Sequence, residues 1–211
     1  MRTIPVNKSI TVSLKAKDFD RISELLKKSD GPFAICECIC RKKQQMLGNT
    51  CEVTRRKETC LAVGHLARTA EKVGMGRTVG RETALEILSR NQKEGLVLQP
   101  SNARDIEFVC SCCGCCCGIL RMHKKLPKPL EFWVANYQAT IDQGQCTKCG
   151  VCKTKCQVGA IVSRGNDEDV IVDSERCIGC GVCVTACKFD AVDLIRAKEE
   201  KIPPENRDEL M

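Results

Sequence analysis

Cysteine is the residue type in this chain whose number and spacing carry chemistry. The run Cys146-Thr-Lys-Cys149-Gly-Val-Cys152-Lys-Thr-Lys-Cys156 recurs as Cys177-Ile-Gly-Cys180-Gly-Val-Cys183-Val-Thr-Ala-Cys187, the same C-x2-C-x2-C-x3-C spacing twice. A cubane 4Fe-4S cluster needs four thiolates converging from different directions, and a tight C-x2-C-x2-C loop supplies three of them from one wrapped segment. The fourth has to come from elsewhere. Gly150, Gly179 and Gly181 suit such loops, because backbone folded closely around inorganic sulfide needs freedom at φ. Val151, Ile178 and Val182 can shield the clusters. Zinc knuckles or a disulfide framework are the alternative uses of such thiols, but zinc sites rarely need eight cysteines in duplicated fours.

From Cys146 to Cys187 the segment resembles the bacterial-type dicluster ferredoxins, with all eight ligand positions matched. Ala160-Ile161 and Ala191-Val192 stand in the family's usual apolar positions after each motif. The resemblance implies two 4Fe-4S clusters whose ligand sets cross, the last cysteine of each motif serving the other cluster. On this chain Cys146, Cys149, Cys152 and Cys187 would hold one cluster, and Cys177, Cys180, Cys183 and Cys156 the other. The chain departs from the family in carrying Gln157 and Lys188 where proline usually follows the fourth cysteine. Proline binds no iron, so the change bears on the local turn and on the potential, which depends on hydrogen bonds to sulfur, charge and exposure.

Eleven of the nineteen cysteines lie outside this module. Cys36, Cys38 and Cys40 alternate and are followed by Cys51 and Cys60; Cys110, Cys112, Cys113, Cys115, Cys116 and Cys117 crowd a second segment. In extended backbone the alternation puts three thiolates on one side, about 7 Å apart, with Cys51 or Cys60 as the fourth ligand. In the second segment Gly114 and Gly118 break the crowding, and adjacent cysteines in regular structure cannot easily serve one site, so some must point elsewhere. Thiolates select zinc and iron-sulfur clusters. The reading is one or two additional iron-sulfur clusters shared between the two groups, with zinc as the alternative. The order of ICxCxC, CCxCCC and dicluster segments is also similar to a group of multi-cysteine iron-sulfur proteins of anaerobes, a resemblance that implies no particular activity.

The N-terminal residues have no long apolar core of a secretory signal. Thiols in such number then point to a reducing cytoplasm, and exposed cluster chemistry to an anaerobic host. No stretch approaches 18 uninterrupted apolar residues, so no membrane insertion is expected. The formal charge of +7 falls to about +3 once two clusters, each about 2 minus with its thiolates, enter the sum. The runs Arg41-Lys42-Lys43, Arg55-Arg56-Lys57 and Lys124-Lys125-Leu-Pro-Lys128 read as solvated surface or as a docking face for an acidic redox partner. Few aromatics interleave them, which argues against nucleic acid.

The elements that must position these thiols read as an α+β chain. A ferredoxin-like dicluster module, residues 140–197, packs on a mainly helical cysteine-rich domain, residues 1–139, and a charged tail, 198–211, is expected to be mobile. Apolar spacing predicts helices over 18–28 with Asp18 as N-cap, over 59–73 and over 82–94. Strands are expected at 96–98 and 106–109, resembling the tail of a winged-helix unit, and a hairpin with a turn at Gly165-Asn166-Asp167. Gly74-Met-Gly76-Arg-Thr-Val-Gly80 fails the dinucleotide spacing and reads as a helix cap, a short strand and the next helix. His65 is expected on a buried helix face and His123 in solvent, and Trp133 and Tyr137 in the core. With no paired nucleophile and base, a hydrolase is unsupported. The first functional reading is a relay of single electrons to or from a partner protein such as a flavin or metal oxidoreductase. The others are a reductase whose N-terminal cysteines build a special cluster, and a redox-responsive regulator.

Overall fold

The computed structural model describes residues 2–11, 14, 16–164 and 169–210; the turn expected at 165–167 lies outside them. Five strands form one antiparallel sheet: β1 (Phe33–Glu37), β2 (Glu58–Val63), β3 (Gly76–Val79), β4 (Val97–Pro100) and β5 (Phe108–Cys112), in the order β3-β1-β2-β5-β4. Around it stand α1 (Ile22–Lys28), α2 (Ile39–Met46), α3 (His65–Lys72), α4 (Arg81–Lys93) and α5 (Gly118–Lys125). The N-terminal part is therefore built on a sheet, where a mainly helical domain was expected.

Strand alternation sorts the side chains of this sheet by chemistry. Phe33, Ile35, Leu61, Val63, Leu98 and Val109 join Ile22, Leu25 and Leu26 of α1 and Ala84 and Leu88 of α4 in an aliphatic core. Cys36 pairs with Cys60 across β1 and β2, Gln99 with Cys110 and Val97 with Cys112 across β4 and β5. Successive side chains on a strand point to opposite faces, so these thiols lie on the face away from that core. There Ala34 and Ala62 pack on Ala67 of α3.

Helix 82–94 and the two strands after it appear where expected, as α4, β4 and β5. Gly74 has a φ of +69° after α3, Gly76 opens β3 and Gly80 precedes α4, the cap, strand and helix read from the glycines. The helix expected from residue 59 begins only at His65, because 58–63 is β2. Thr59, Leu61 and Val63 alternate inward there, and Gly64, at φ +60°, turns the chain into α3. Asp18 opens a short 3-10 turn and Arg21 stands at the α1 N-cap; Asp18 instead pairs with Lys28 at 3.0 Å.

The remaining elements are β6 (Tyr137–Ile141), α6 (Val151–Lys155), β7 (Ile161–Arg164), β8 (Asp169–Val172), α7 (Val182–Ala186) and β9 (Val192–Arg196). They repeat: β6 pairs with β9 and β7 with β8, and each short helix follows a left-handed glycine, Gly150 before α6 and Gly181 before α7. One apolar core runs from Val97, Leu120 and Trp133 into Ile178, Val182 and Val192, and the Val6 amide donates to the Cys180 carbonyl at 2.9 Å. The tail is tied along the N-terminal part. The Arg104 and Asp105 amides donate to the Pro204 and Glu205 carbonyls, each at 2.8 Å. Lys201 N–H reaches Asn136 Oδ1 at 2.9 Å.

Candidate metal centres

The nineteen cysteines are free thiols, and the fold distributes eighteen of them among four groups. In the repeat, Cys146, Cys149, Cys152 and Cys187 line one small cavity with Val170 and Val192. Cys156 instead faces Cys177, Cys180 and Cys183, each of which feels its charge. Each motif thus sends its last cysteine across. Burial pushes the Cys180 thiol up to about 12 and raises Cys177 and Cys183, with neighbouring thiols adding. A bound cation reverses that cost, since a coordinating thiol is deprotonated outright. Backbone donors already aim at the sulfurs, Ala160 N–H to Cys156 Sγ at 3.2 Å and Ala139 N–H to Cys177 Sγ at 3.4 Å.

Gln157, in place of the family's proline, accounts for that departure. Its Oε1 accepts the buried Gly114 N–H at 2.7 Å, so the turn after Cys156 is a docking contact with the N-terminal cysteine segment. Opposite, Lys124 Nζ donates to the Gly114 carbonyl at 3.3 Å.

Cys51, Cys113, Cys115 and Cys116 form the third group, their sulfurs all within 4.8 Å of one another. Cys51 Sγ lies 3.7 Å from Cys113 Sγ and 3.8 Å from Cys115 Sγ, and the Cys115 and Cys116 sulfurs are 3.6 Å apart. Sulfurs about 2.3 Å from a shared tetrahedral ion lie about 3.8 Å apart, so this spacing fits a single ion. Adjacent Cys115 and Cys116 can face one ion because 114–116 is a turn.

The fourth group is a closed ring of six. Thiol meets thiol in the order Cys38, Cys40, Cys117, Cys112, Cys110, Cys60 and back to Cys38. Neighbouring thiols shift one another around it: Cys38, Cys110 and Cys117 are pulled well below the usual thiol range, while Cys40, Cys60 and Cys112 are raised. Six thiols exceed what one tetrahedral ion or one cubane takes, and among the described residues no three of them approach one another as the Cys51 group does. Arg41 stands between the groups, its Nη1 donating to the Ser111 carbonyl at 3.2 Å and toward Cys113 Sγ at 3.9 Å, its Nη2 meeting Thr59 Oγ1.

The expectation of Cys36, Cys38 and Cys40 on one extended segment is corrected. A bulge follows Cys36 and the chain turns into α2 at Ile39, so Cys38 and Cys40 leave the strand and Cys36 stays outside the ring. Burial raises the Cys36 thiol, and the close Cys36–Gly76 pairing leaves no room for a side chain at 76, where a Cβ would come 2.7 Å from Cys36 Sγ. Of the two proposed fourth ligands, Cys60 joins the ring and Cys51 the tight four. The histidines reverse their expected places. His65 is exposed, while His123 is 0% exposed, edge-on to Trp133 at 4.9 Å and pulled down to about 4 by burial. Sequence reasoning missed His123 because α5 buries its face against the module that follows.

Residues 138–188 match the family model of the 4Fe-4S dicluster domain. The C-terminal part of the chain thus carries a ferredoxin-type domain, with the iron-sulfur electron-transfer role that this implies. No curated protein matches the chain. No helix among the described residues is long and apolar enough to cross a membrane.

Proposed function

We propose that this chain relays single electrons through two 4Fe-4S clusters of the ferredoxin-type module, between a partner oxidoreductase of a cytoplasmic, anaerobic setting and a metal centre in its own N-terminal part. Residues 140–197 form the module and 1–139 the cysteine-rich part that receives it. One cluster takes Cys146, Cys149, Cys152 and Cys187, the other Cys177, Cys180, Cys183 and Cys156. The single-ion group of Cys51, Cys113, Cys115 and Cys116 suits zinc, and the ring of six holds more than the four thiolates that an additional iron-sulfur cluster needs. When bound, such clusters exchange one electron at a time at potentials that their surroundings tune.

The observation that carries this reading is the contact between Gln157, next to ligand Cys156, and Gly114, inside the Cys113–Cys116 turn. It sets the ferredoxin module against the N-terminal thiols, and Arg41, which reaches Cys113 Sγ with its side chain, adjoins Cys38 of the ring. Arg121, Lys124 and Lys155, with Glu52 and Glu94, line a polar cleft of about 750 Å³ that reaches Cys115, Cys116 and Cys156, and its excess of cations suits an acidic redox partner. The reductase reading draws support from the ring itself, which opens to an apolar cavity. Stepwise reduction of the anaerobically purified protein, followed by EPR, tests the relay. The expected result is several interacting one-electron signals, at least one of which survives loss of the ferredoxin cysteines. Absence of any reducible centre outside the module contradicts it.

A further inference from the structure

Above the ring the sheet face and α3 enclose a cavity of about 540 Å³. That volume lies within the range of small-molecule sites, which are concave, mostly apolar and fitted with a few polar groups. Ile39, Leu66, Ala70, Val73, Met75 and Ile119 form its walls, and the ring its floor. A metal held by the ring sulfurs would occupy the floor, and the walls above belong to α3 and Met75. One polar side chain there has no partner. Gln99, 0% exposed on β4 opposite Cys110, lines the cavity with neither amide atom hydrogen-bonded. A buried amide left unpaired keeps its full desolvation cost, so a group that meets it from the cavity is strongly favoured. The exposed apolar rim, with Val73 58% and Met75 50% exposed, provides an entrance without charge.

We infer that this cavity binds a small, neutral, largely apolar molecule with one carbonyl-like acceptor, held by the Gln99 amide N–H against the six-thiol metal centre. The inference rests on the reading that the ring is metal-filled, and it names the class of ligand that the reductase reading requires. Anions are disfavoured, because Arg41, the one cation in the lining, is already engaged by the Ser111 carbonyl and Thr59 Oγ1 with Glu37 nearby, leaving little to compensate their desolvation.

The test uses the full-length holoprotein, purified without oxygen and analysed for iron. It is titrated with cyclohexanone, a neutral probe with one acceptor, and with cyclohexanecarboxylate, its anionic counterpart, by calorimetry and by the EPR of the reduced protein. Cyclohexanone is expected to bind saturably and to shift a signal that does not belong to the ferredoxin module, and the carboxylate not to bind. Gln99→Leu is expected to weaken binding about tenfold, the loss of one hydrogen bond. Val73→Trp, at an exposed position on the rim, is expected to close the entrance and abolish binding while the iron content stays the same. Iron-loaded protein that binds neither probe, binds both equally, or is indifferent to Val73→Trp overturns this inference and leaves the relay standing. A ring without metal overturns both this inference and the reductase reading.

Discussion

Gly114→Ala tests whether the ferredoxin module is mechanically joined to the N-terminal thiols. A Cβ at this position clashes with the Gln157 carbonyl oxygen and comes within 2.6 Å of Lys124 Nζ. The lysine end can swing away, but the carbonyl belongs to backbone and cannot move without shifting Cys156. Overpacking of this kind costs about 1–3 kcal/mol, and loss of the Gly114 N–H to Gln157 Oε1 bond adds about 1 kcal/mol. A total of about 2–4 kcal/mol corresponds to opening of the contact roughly 30- to 1000-fold more often. Hydrogen exchange reads this directly as lost protection at the amides of 114–117, where Cys117 N–H donates to the Cys113 carbonyl at 3.0 Å. Gly118→Ala is the control: nothing lies within 4 Å of its added methyl group, and alanine in the first turn of α5 is neutral or stabilising by up to about 1 kcal/mol. Equal protection in the two variants refutes the reasoning.

Three further outcomes follow from the same geometry. Cys146→Ala and Cys187→Ala are expected to remove or convert the same EPR signal and Cys156→Ala the other, about four irons each; loss of one common signal in all three contradicts the crossed ligand sets. His123 is pulled from 6.5 to about 4 by burial, with Arg176 and Lys124 adding. Between those values the unfolded chain holds a proton that the native one does not, so stability rises with pH across the window and falls by about 2 kcal/mol on acidifying to about pH 5. His123→Phe should flatten that part of the melting profile, and an unchanged profile would count against the buried neutral ring. Arg41→Gln removes a cation between the tight four and the ring, which should lower the potential of a redox centre there by on the order of 100 mV in a potentiometric EPR titration; a potential that stays or rises speaks against the placement.

The ferredoxin module was legible because its ligands are local: three cysteines on one loop announce a cluster whatever surrounds them. The α4, β4 and β5 succession was legible from spacing and from the glycines that punctuate it. Residues 58–63 were not, because Leu61, His65, Leu66 and Ala70 also fit a helical face, and a short apolar run does not separate strand from helix by periodicity alone. The partition of the N-terminal thiols was hidden for a different reason. Cys112 and Cys113, or Cys116 and Cys117, are neighbours in sequence that go to different sites, and only the turn at 114–116 and the bulge after Cys36 decide which. His123 and the tail were misjudged because their surroundings are supplied by other segments, Trp133 and Arg176 for one and residues 104–105 for the other.

The central claim is that the six-thiol ring carries iron beyond the two ferredoxin clusters. Quantification of iron, acid-labile sulfide and zinc in the anaerobically purified full-length protein tests it most directly. The account predicts about twelve or more irons with matching sulfide, together with one zinc in the tight group of four. About eight irons, with the remaining thiols empty or filled by zinc alone, would contradict it.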